Sequence, residues 1–169
     1  MKVKIIEREV LNPLAETDVL KIETNSIPKN INRLSLVNNT KPNADLILDF
    51  ISKKIDFSEI IKLNKPAGAP ASKEQIKHAR GDLAILALGD CGSCSTWLVL
   101  DAIKLERQGT PTITICTDIF APYARELAES YGATHLRILE IKHPITGLSE
   151  EMIQDRTETV INHIKTIIK

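Results

Sequence analysis

The sequence predicts an α/β domain: three layers, with five parallel strands doubly wound by helices. Three observations lead there. From Arg33 onward, short β-like runs alternate with helical patterns. The run "DLAILAL" (Asp82–Leu88) is continuously apolar, as a strand covered on both faces must be. Helical stretches stop at glycines followed by further β-branched runs, the punctuation of repeated βα units.

The elements follow in order. "RLSLVNN" (Arg33–Asn39) is an apolar run that ends in turn residues, the first strand. "PNADLILDFISKKI" (Pro42–Ile55) places Leu46, Ile47, Phe50 and Ile51 at helical spacing, and Pro42 suits a first helical turn. "SEIIKLN" (Ser58–Asn64) is the second strand. "ASKEQIKHA" (Ala71–Ala79) carries Ser72 as N-cap with Gln75 three residues on, the capping-box pattern. "DLAILAL" is the third strand. In the helix after it, Asp101, Lys104 and Gln108 mark a polar face, and Leu98, Ala102 and Leu105 an apolar one. Gly109 ends that helix, and Pro111 prevents its return. "TITIC" (Thr112–Cys116) is the fourth strand, "YARELAESY" (Tyr123–Tyr131) a helix closed by Gly132, and "LRILEI" (Leu136–Ile141) the fifth strand. "SEEMIQDRTETVINHIKTII" (Ser149–Ile168) is a long last helix capped by Ser149.

Right-handed crossovers restrict the topology, and the flavodoxin-like strand order 2-1-3-4-5 is the one expected. In that order the ligand crevice lies outside the carboxyl ends of strands 1 and 3. Those ends read "NNTKPN" and "GDCGSC". Residues 33–169 make up the α/β domain. Residues 1–32 form an extension, punctuated by "LNP" and "SIPKN", that wraps the surface or pairs at an edge.

Composition narrows the class of function. The chain has 169 residues, 43% of them hydrophobic, and 22 basic side chains balance 22 acidic ones. That balance lacks the basic excess of a nucleic-acid binder. No apolar run approaches the roughly 20 residues of a membrane span. The N-terminal "MKVKIIEREVLNP" is too often charged for a secretory leader. Three cysteines are too few for a disulfide framework. A cytoplasmic protein with reduced thiols is expected, and a monomer and a homo-oligomer fit the sequence equally.

Two of the three cysteines stand three apart, Cys91 and Cys94, where strand 3 ends and a helix begins. A thiolate is the reactive form of cysteine, and free N–H groups at a helix start favour anions by roughly 0.3–1 kcal/mol. The outer thiol of such a pair is exposed and the inner one sits a turn behind. Cys91 is therefore assigned as nucleophile and Cys94 as resolving thiol. The plain alternative is two small core residues. Thioredoxin topology is disfavoured, because "GTPT" (Gly109–Thr112) follows the thiol helix with no strand and helix between. A structural zinc site on Cys91, Cys94, Cys116 and His143 lacks a second close-spaced couple, so no metal is expected.

Around the pair, the same sheet edge supplies Asp90, Gly92, Ser93 and Ser95 from the turn itself. Asn38, Asn39, Lys41 and Asn43 come from the strand 1 end, Cys116, Thr117 and Asp118 from the strand 4 end. His143 follows strand 5 and precedes Pro144. Asp118 and His143 are candidate acid–base groups beside the thiols, and the others candidate substrate contacts. His78 and His163 are expected at the surface, and His135, which precedes a strand, in packing or at the surface.

The stretch "GDCGSCSTWLVLDAIKLERQGTPTITICTDIF" resembles the UGSC family, named for a selenocysteine-Gly-Ser-Cys motif after a strand. "VNNTKPNADLILDFI" and "IKHPITGLSEEMI" resemble its early and closing segments, in the same order, and the resemblance covers about residues 30 to 155. It implies that Cys91 stands at the selenocysteine position and Cys94 is the partner thiol. Sulfur in place of selenium is a departure, which raises the expected pKa of the nucleophile and slows its chemistry. The motif is distantly similar to the selenoprotein subunits of glycine and proline reductases. The resemblance thus implies a thiol-dependent, reductase-like enzyme acting on a small molecule, with no resident cofactor and with an external thiol reductant, supplied by a protein, to restore it. A binding or redox-sensing module for a small molecule, anion or metal in the same crevice is the competing expectation.

Overall fold

In a computed structural model, residues 20–168 are described. They form one sheet of five parallel strands in the order β2-β1-β3-β4-β5. The elements are β1 (Arg33–Asn38), α1 (Ala44–Ser52), β2 (Glu59–Asn64), α2 (Lys73–His78), β3 (Leu83–Gly89), α3 (Gly92–Glu106), β4 (Thr112–Thr117), α4 (Ala121–Ser130), β5 (Ile138–Ile141) and α5 (Glu150–Ile167). The expected order is present, with β1 and β3 adjacent from Leu34↔Leu83 to Asn38↔Ala87.

Side-chain alternation along the strands divides the core in two. Leu34, Leu36, Ile85, Ile113 and Ile115 point to one face, where Ile47 and Ile51 of α1 and Ile153, Val160 and Ile164 of α5 cover them. Val37, Ala84, Leu86 and Cys116 point to the other, under Ile76 of α2, Leu98 and Ala102 of α3, and Ala124 of α4. All seven residues of β3 are buried, since the central strand is covered from both sides.

The helix starts follow local chemistry. Ser72 accepts the Gln75 N–H while the Gln75 side chain accepts the Ser72 N–H, so the expected capping box is complete. Ser149 caps α5 by accepting from Met152 N–H. Pro42 does not open α1. The helix begins at Ala44, after Asn43 turns through a left-handed conformation (φ 64°) that asparagine tolerates better than most residues. Thr40 is also left-handed (φ 58°), a position that costs a β-branched residue about 1–2 kcal/mol. Its N–H donates to Asn38 Oδ1 and its hydroxyl to the Lys65 carbonyl, which hold it there. The β1 chain therefore turns back sharply at the sheet edge rather than running into the helix.

The polar face expected for α3 needs a correction at Asp101. Its side chain is fully buried. Its Oδ2 accepts from the Ala71 N–H and lies 3.4 Å from Lys65 Nζ, while Lys104 Nζ lies 3.0 Å from Oδ1. Lys65 is itself buried and donates to the carbonyls of Pro66 and Ala69. Helical spacing alone placed Asp101 beside Lys104 and could not see a lysine arriving from the β2 end. Burial pushes the Lys65 ammonium below its ordinary range, and Asp101 counters this.

Residues 1–19 of the N-terminal extension lie outside the described residues. Over 20–32 the chain forms no strand. Ile22 is buried and its N–H donates to Gly132 O. Asn25 grips Glu106 through its backbone N–H and its carboxamide, and Arg137 joins Glu106 and the Asn25 carbonyl.

The turn from β3 into α3 rests on Asn39. Its side chain is buried, and it spans the β1–β3 gap: Nδ2 donates to Leu88 O at 2.8 Å and Oδ1 accepts Leu88 N–H at 2.7 Å. The pairing register of β3 with β4 shifts between Ala87 and Gly89, so the Leu88 backbone has no ladder partner on that side. The Asn39 carboxamide takes the ladder's place. Asn39→Ala should lower unfolding stability by about 2–6 kcal/mol, because two buried backbone groups lose their partners at about 1–3 kcal/mol each. Half-buried Asn38, replaced by alanine, should lose less than about 1.5 kcal/mol, the net value of an ordinary hydrogen bond. Equal losses in urea titrations of the two variants would contradict this account.

Candidate functional site

The site begins at Gly89. An added Cβ there would stand 2.5 Å from Cys116 Sγ and 2.8 Å from Ser95 Oγ, so only glycine lets β4 and the first turn of α3 close on the strand end. Asp90 leads out, and Cys91 is the N-cap of α3, extended at φ −155°. Its sulfur accepts the Cys94 N–H at 3.3 Å, the bond a capping side chain makes. Ser95 Oγ donates back to the Cys91 carbonyl at 2.8 Å and fixes the turn.

Cys91 and Cys94 are joined by a disulfide, with Cα atoms 5.3 Å apart. Cys91 is half-buried and Cys94 is 2% exposed. Gly92 and Ser93 are exposed above them, with the Ser93 hydroxyl 3.8 Å from the Cys91 sulfur. Thus the outer sulfur is the one a molecule from solvent meets, and the inner one lies behind it.

Asp90 has a nearly buried side chain, 6% exposed, although the residue as a whole is half-buried through its backbone. Lys41 Nζ lies 3.2 Å from Asp90 Oδ1. That approach is off hydrogen-bond geometry, so Oδ1 has a charge partner but no hydrogen-bond donor. Lys41 also lines an open groove of about 480 Å³ with Asn38, Thr40, Asn43, Asp45 and Asn64. Asn43 Nδ2 donates to Ile145 O, tying the β1 end to the segment after β5.

On the other side of the pair, the Thr117 hydroxyl donates to Gly89 O at 3.5 Å and lies 3.3 Å from His143 Nδ1. In the tautomer that donates from Nδ1 to the Thr117 hydroxyl, Nε2 is the acceptor nitrogen of His143. The His143 N–H donates to Asp118 Oδ1, and Lys142 Nζ reaches Oδ2. That backbone bond, then Lys142, hold the Asp118 carboxyl below the ordinary carboxylate range. Asp118 therefore fixes the backbone around His143 as a carboxylate and does not touch the imidazole in this arrangement. The Phe120 ring stands 6.2 Å from the His143 ring.

The expected site residues thus meet at one sheet edge in two groups, Lys41–Asp90–Cys91–Cys94 and Thr117–His143–Asp118, joined through Gly89. Four expected substrate contacts lie beneath the surface. Asn39, Ser95 and Thr117 are fully buried with their polar atoms given to backbone or His143. Cys116 is fully buried and its thiol is pushed up to about 12, first by burial. They shape the floor and do not face solvent. His78, His135 and His163 are exposed. Two hydroxyl groups close to the pair escaped the sequence reading: Thr96 Oγ1 and Tyr123 Oη lie 2.7 Å apart, joining α3 to α4. Their signal was weak, because nothing local relates two residues 27 positions apart. Ile119, 62% exposed, projects from the same edge.

A model of the UGSC family matches residues 9–169. The chain belongs to the UGSC family. No curated protein and no solved structure matches it. In this UGSC chain the motif position is Cys91-Gly92-Ser93-Cys94, and the fold sets it at the switch between β1 and β3, where open α/β sheets bind ligands. No helix among the described residues is long and apolar enough to cross a membrane.

Burial of Cys116 gives a pH signature. Its folded pKa lies above the unfolded value near 9, so above about pH 9 the unfolded chain releases a proton that the folded chain keeps. Stability of the disulfide form should fall as pH rises from about 9 toward 12, and Cys116→Ala should flatten that fall. A thiol-specific chromophore at neutral pH should leave Cys116 unmodified until denaturant is added. Immediate modification of Cys116 in the folded disulfide form would refute its burial.

Proposed function

We propose that this UGSC chain is a thiol-dependent redox enzyme that reduces a small electrophilic molecule with the Cys91–Cys94 pair. The supporting observation is the asymmetry of that pair: a half-buried capping sulfur in front, an enclosed sulfur one turn behind, both at the ligand-binding edge of the sheet.

The chemistry closes as follows. The Cys91 thiolate attacks the substrate Y–X, the sulfur–Y bond forms, and X leaves with the electron pair of the broken bond. The Cys94 thiolate then attacks the Cys91 sulfur, and Y leaves with its pair as the disulfide forms. The two thiol protons end on X and Y. The substrate gains two electrons, which the dithiol loses. An external dithiol, carried by a partner protein, returns the pair to its reduced form and is itself oxidised to a disulfide. The Cys94 N–H, which already points at the Cys91 sulfur, favours the attacking anion. Lys41 offsets the Asp90 charge that otherwise opposes a thiolate next to it. His143, at the same sheet edge, is assigned in this reading to handle the protons. The groove beside Lys41, lined by amides, a hydroxyl and the Asp45 carboxylate, suits a polar substrate. By composition such a protein works where thiols are kept reduced.

Mass spectrometry with an electrophilic probe tests the roles. In reduced protein the probe should label Cys91, Cys91→Ser should take none, and Cys94→Ser should hold a stable adduct. Labelling that persists in Cys91→Ser and vanishes in Cys94→Ser reverses the assignment. In the same assay Lys41→Met should slow labelling at neutral pH by about threefold to tenfold, since up to about 1.4 kcal/mol of charge balance is lost. A rate unchanged by Lys41→Met removes that lysine from the mechanism.

A further inference from the structure

Asp90 lies closer to the thiols than the redox scheme requires. The ligand-capable atoms of Asp90, Cys91 and Cys94 all lie within 4.8 Å of one another. Ligand atoms about one zinc ion, at bonds of about 2.0–2.3 Å, are spaced roughly 3.3–3.8 Å apart in a tetrahedral arrangement. Opening the disulfide lets the two sulfurs separate to that spacing with the Cα atoms near their present 5.3 Å. We propose that the reduced chain binds one thiophilic divalent cation, such as zinc, through Asp90 and the thiolates of Cys91 and Cys94, leaving a coordination position open.

A second observation points to a ligand here. The Asp90 side chain is 6% exposed, and its Oδ1 has no hydrogen-bond donor. With Lys41 Nζ at 3.2 Å as charge partner but no hydrogen bond, this buried carboxylate is incompletely satisfied, and a cation completes it directly. Charge is consistent with this. Two thiolates and a carboxylate exceed a dication by one negative charge, and Lys41, a quarter exposed on a flexible stem, balances it from the side of Asp90. The spacing also fits: Cys91 caps α3 and Cys94 lies in its first turn, so both sulfurs leave the helix on one side. The absence of a second cysteine couple argues only against a closed four-ligand structural site, whereas an open site takes three protein ligands.

The site is redox-gated by its own chemistry. A reductant such as a phosphine or dithiol gives the disulfide two electrons, and two protons complete the thiols. The cation then replaces those protons as the two sulfur–metal bonds form. A disulfide oxidant that takes two electrons from the thiolates restores the Cys91–Cys94 bond, is itself reduced to two thiols, and so releases the cation. This inference does not rest on turnover: electrophile trapping in metal-free protein tests the redox reading, and metal titration tests this one, so either can fail alone.

The test is a cobalt(II) titration of the whole chain, reduced with a phosphine under anaerobic conditions. Reduced protein should develop thiolate-to-cobalt charge-transfer absorption that saturates at one equivalent and is displaced by zinc. The disulfide form, Cys91→Ser and Cys94→Ser should not develop it. Asp90→Asn, which keeps the side-chain shape, should bind about tenfold more weakly or worse. In wild-type protein, which needs no variant to fold, stoichiometric zinc should protect both Cys91 and Cys94 from alkylation. No charge-transfer band in the reduced chain, unprotected thiols, or Asp90→Asn binding as tightly as wild type would overturn the proposal.

Discussion

The carboxamide of Asn39 is the interaction on which the site depends. Where β3 loses register with β4, the Leu88 N–H and carbonyl turn to Asn39 from the neighbouring strand. Without that bridge, two buried backbone groups at the end of the central strand lack partners, and the chain has no reason to leave the sheet at this place. With it, Gly89 is set close under Cys116 and Ser95, Asp90 turns inward, and Cys91 arrives as the first cap of α3. The position of the Cys91 sulfur is thus decided by a side chain that is not among its hydrogen-bond partners.

Buried charge is used twice in this molecule, for different ends. Lys65 and Asp101 are fully enclosed, and between them they hold the carbonyls of Pro66 and Ala69 and the N–H of Ala71. Burying two charges is costly unless their remaining hydrogen bonds are met, and here they are met by backbone. The result is a fixed path from β2 to α2 beside the ligand edge. Lys41 and Asp90 are different. Their pairing leaves Asp90 Oδ1 without a hydrogen-bond donor, and a carboxylate oxygen of Asp90 lies within 4.8 Å of the two sulfurs. The first pair is closed upon itself, while the second is open to a ligand, an electrophile's leaving group or a cation. That contrast, rather than the number of charges at the edge, separates scaffold from site.

The two proposed activities share atoms but not states. Redox chemistry cycles the pair between dithiol and disulfide, and a cation held by both thiolates withholds them from attack. A chain that does both would be silenced by metal when reduced and would lose metal when oxidised. The geometry makes this exclusion unavoidable, because the same two sulfurs lie at the mouth of the same crevice and no third thiol is accessible: Cys116 is enclosed beneath them.

Much of this was legible in the chain itself. Alternating periodicities determined the five strands, their helices and the winding order, because a parallel sheet covered on both faces imposes continuous apolar strands whatever surrounds them. The capping box at Ser72, the stop at Gly109 and the pairing of Cys91 with Cys94 are local, and local spacing suffices for them. What spacing could not supply was direction. Asn39 and Asn38 read alike in sequence, yet period-two alternation and the shift in β3 send one into the sheet and leave the other at the groove. Asp101 read as surface until Lys65 met it from 36 positions away. The sequence determined which elements form and where the thiols fall along them. Only the tertiary structure decided which polar groups are spent inside and which remain free, because that choice depends on partners far apart in the chain.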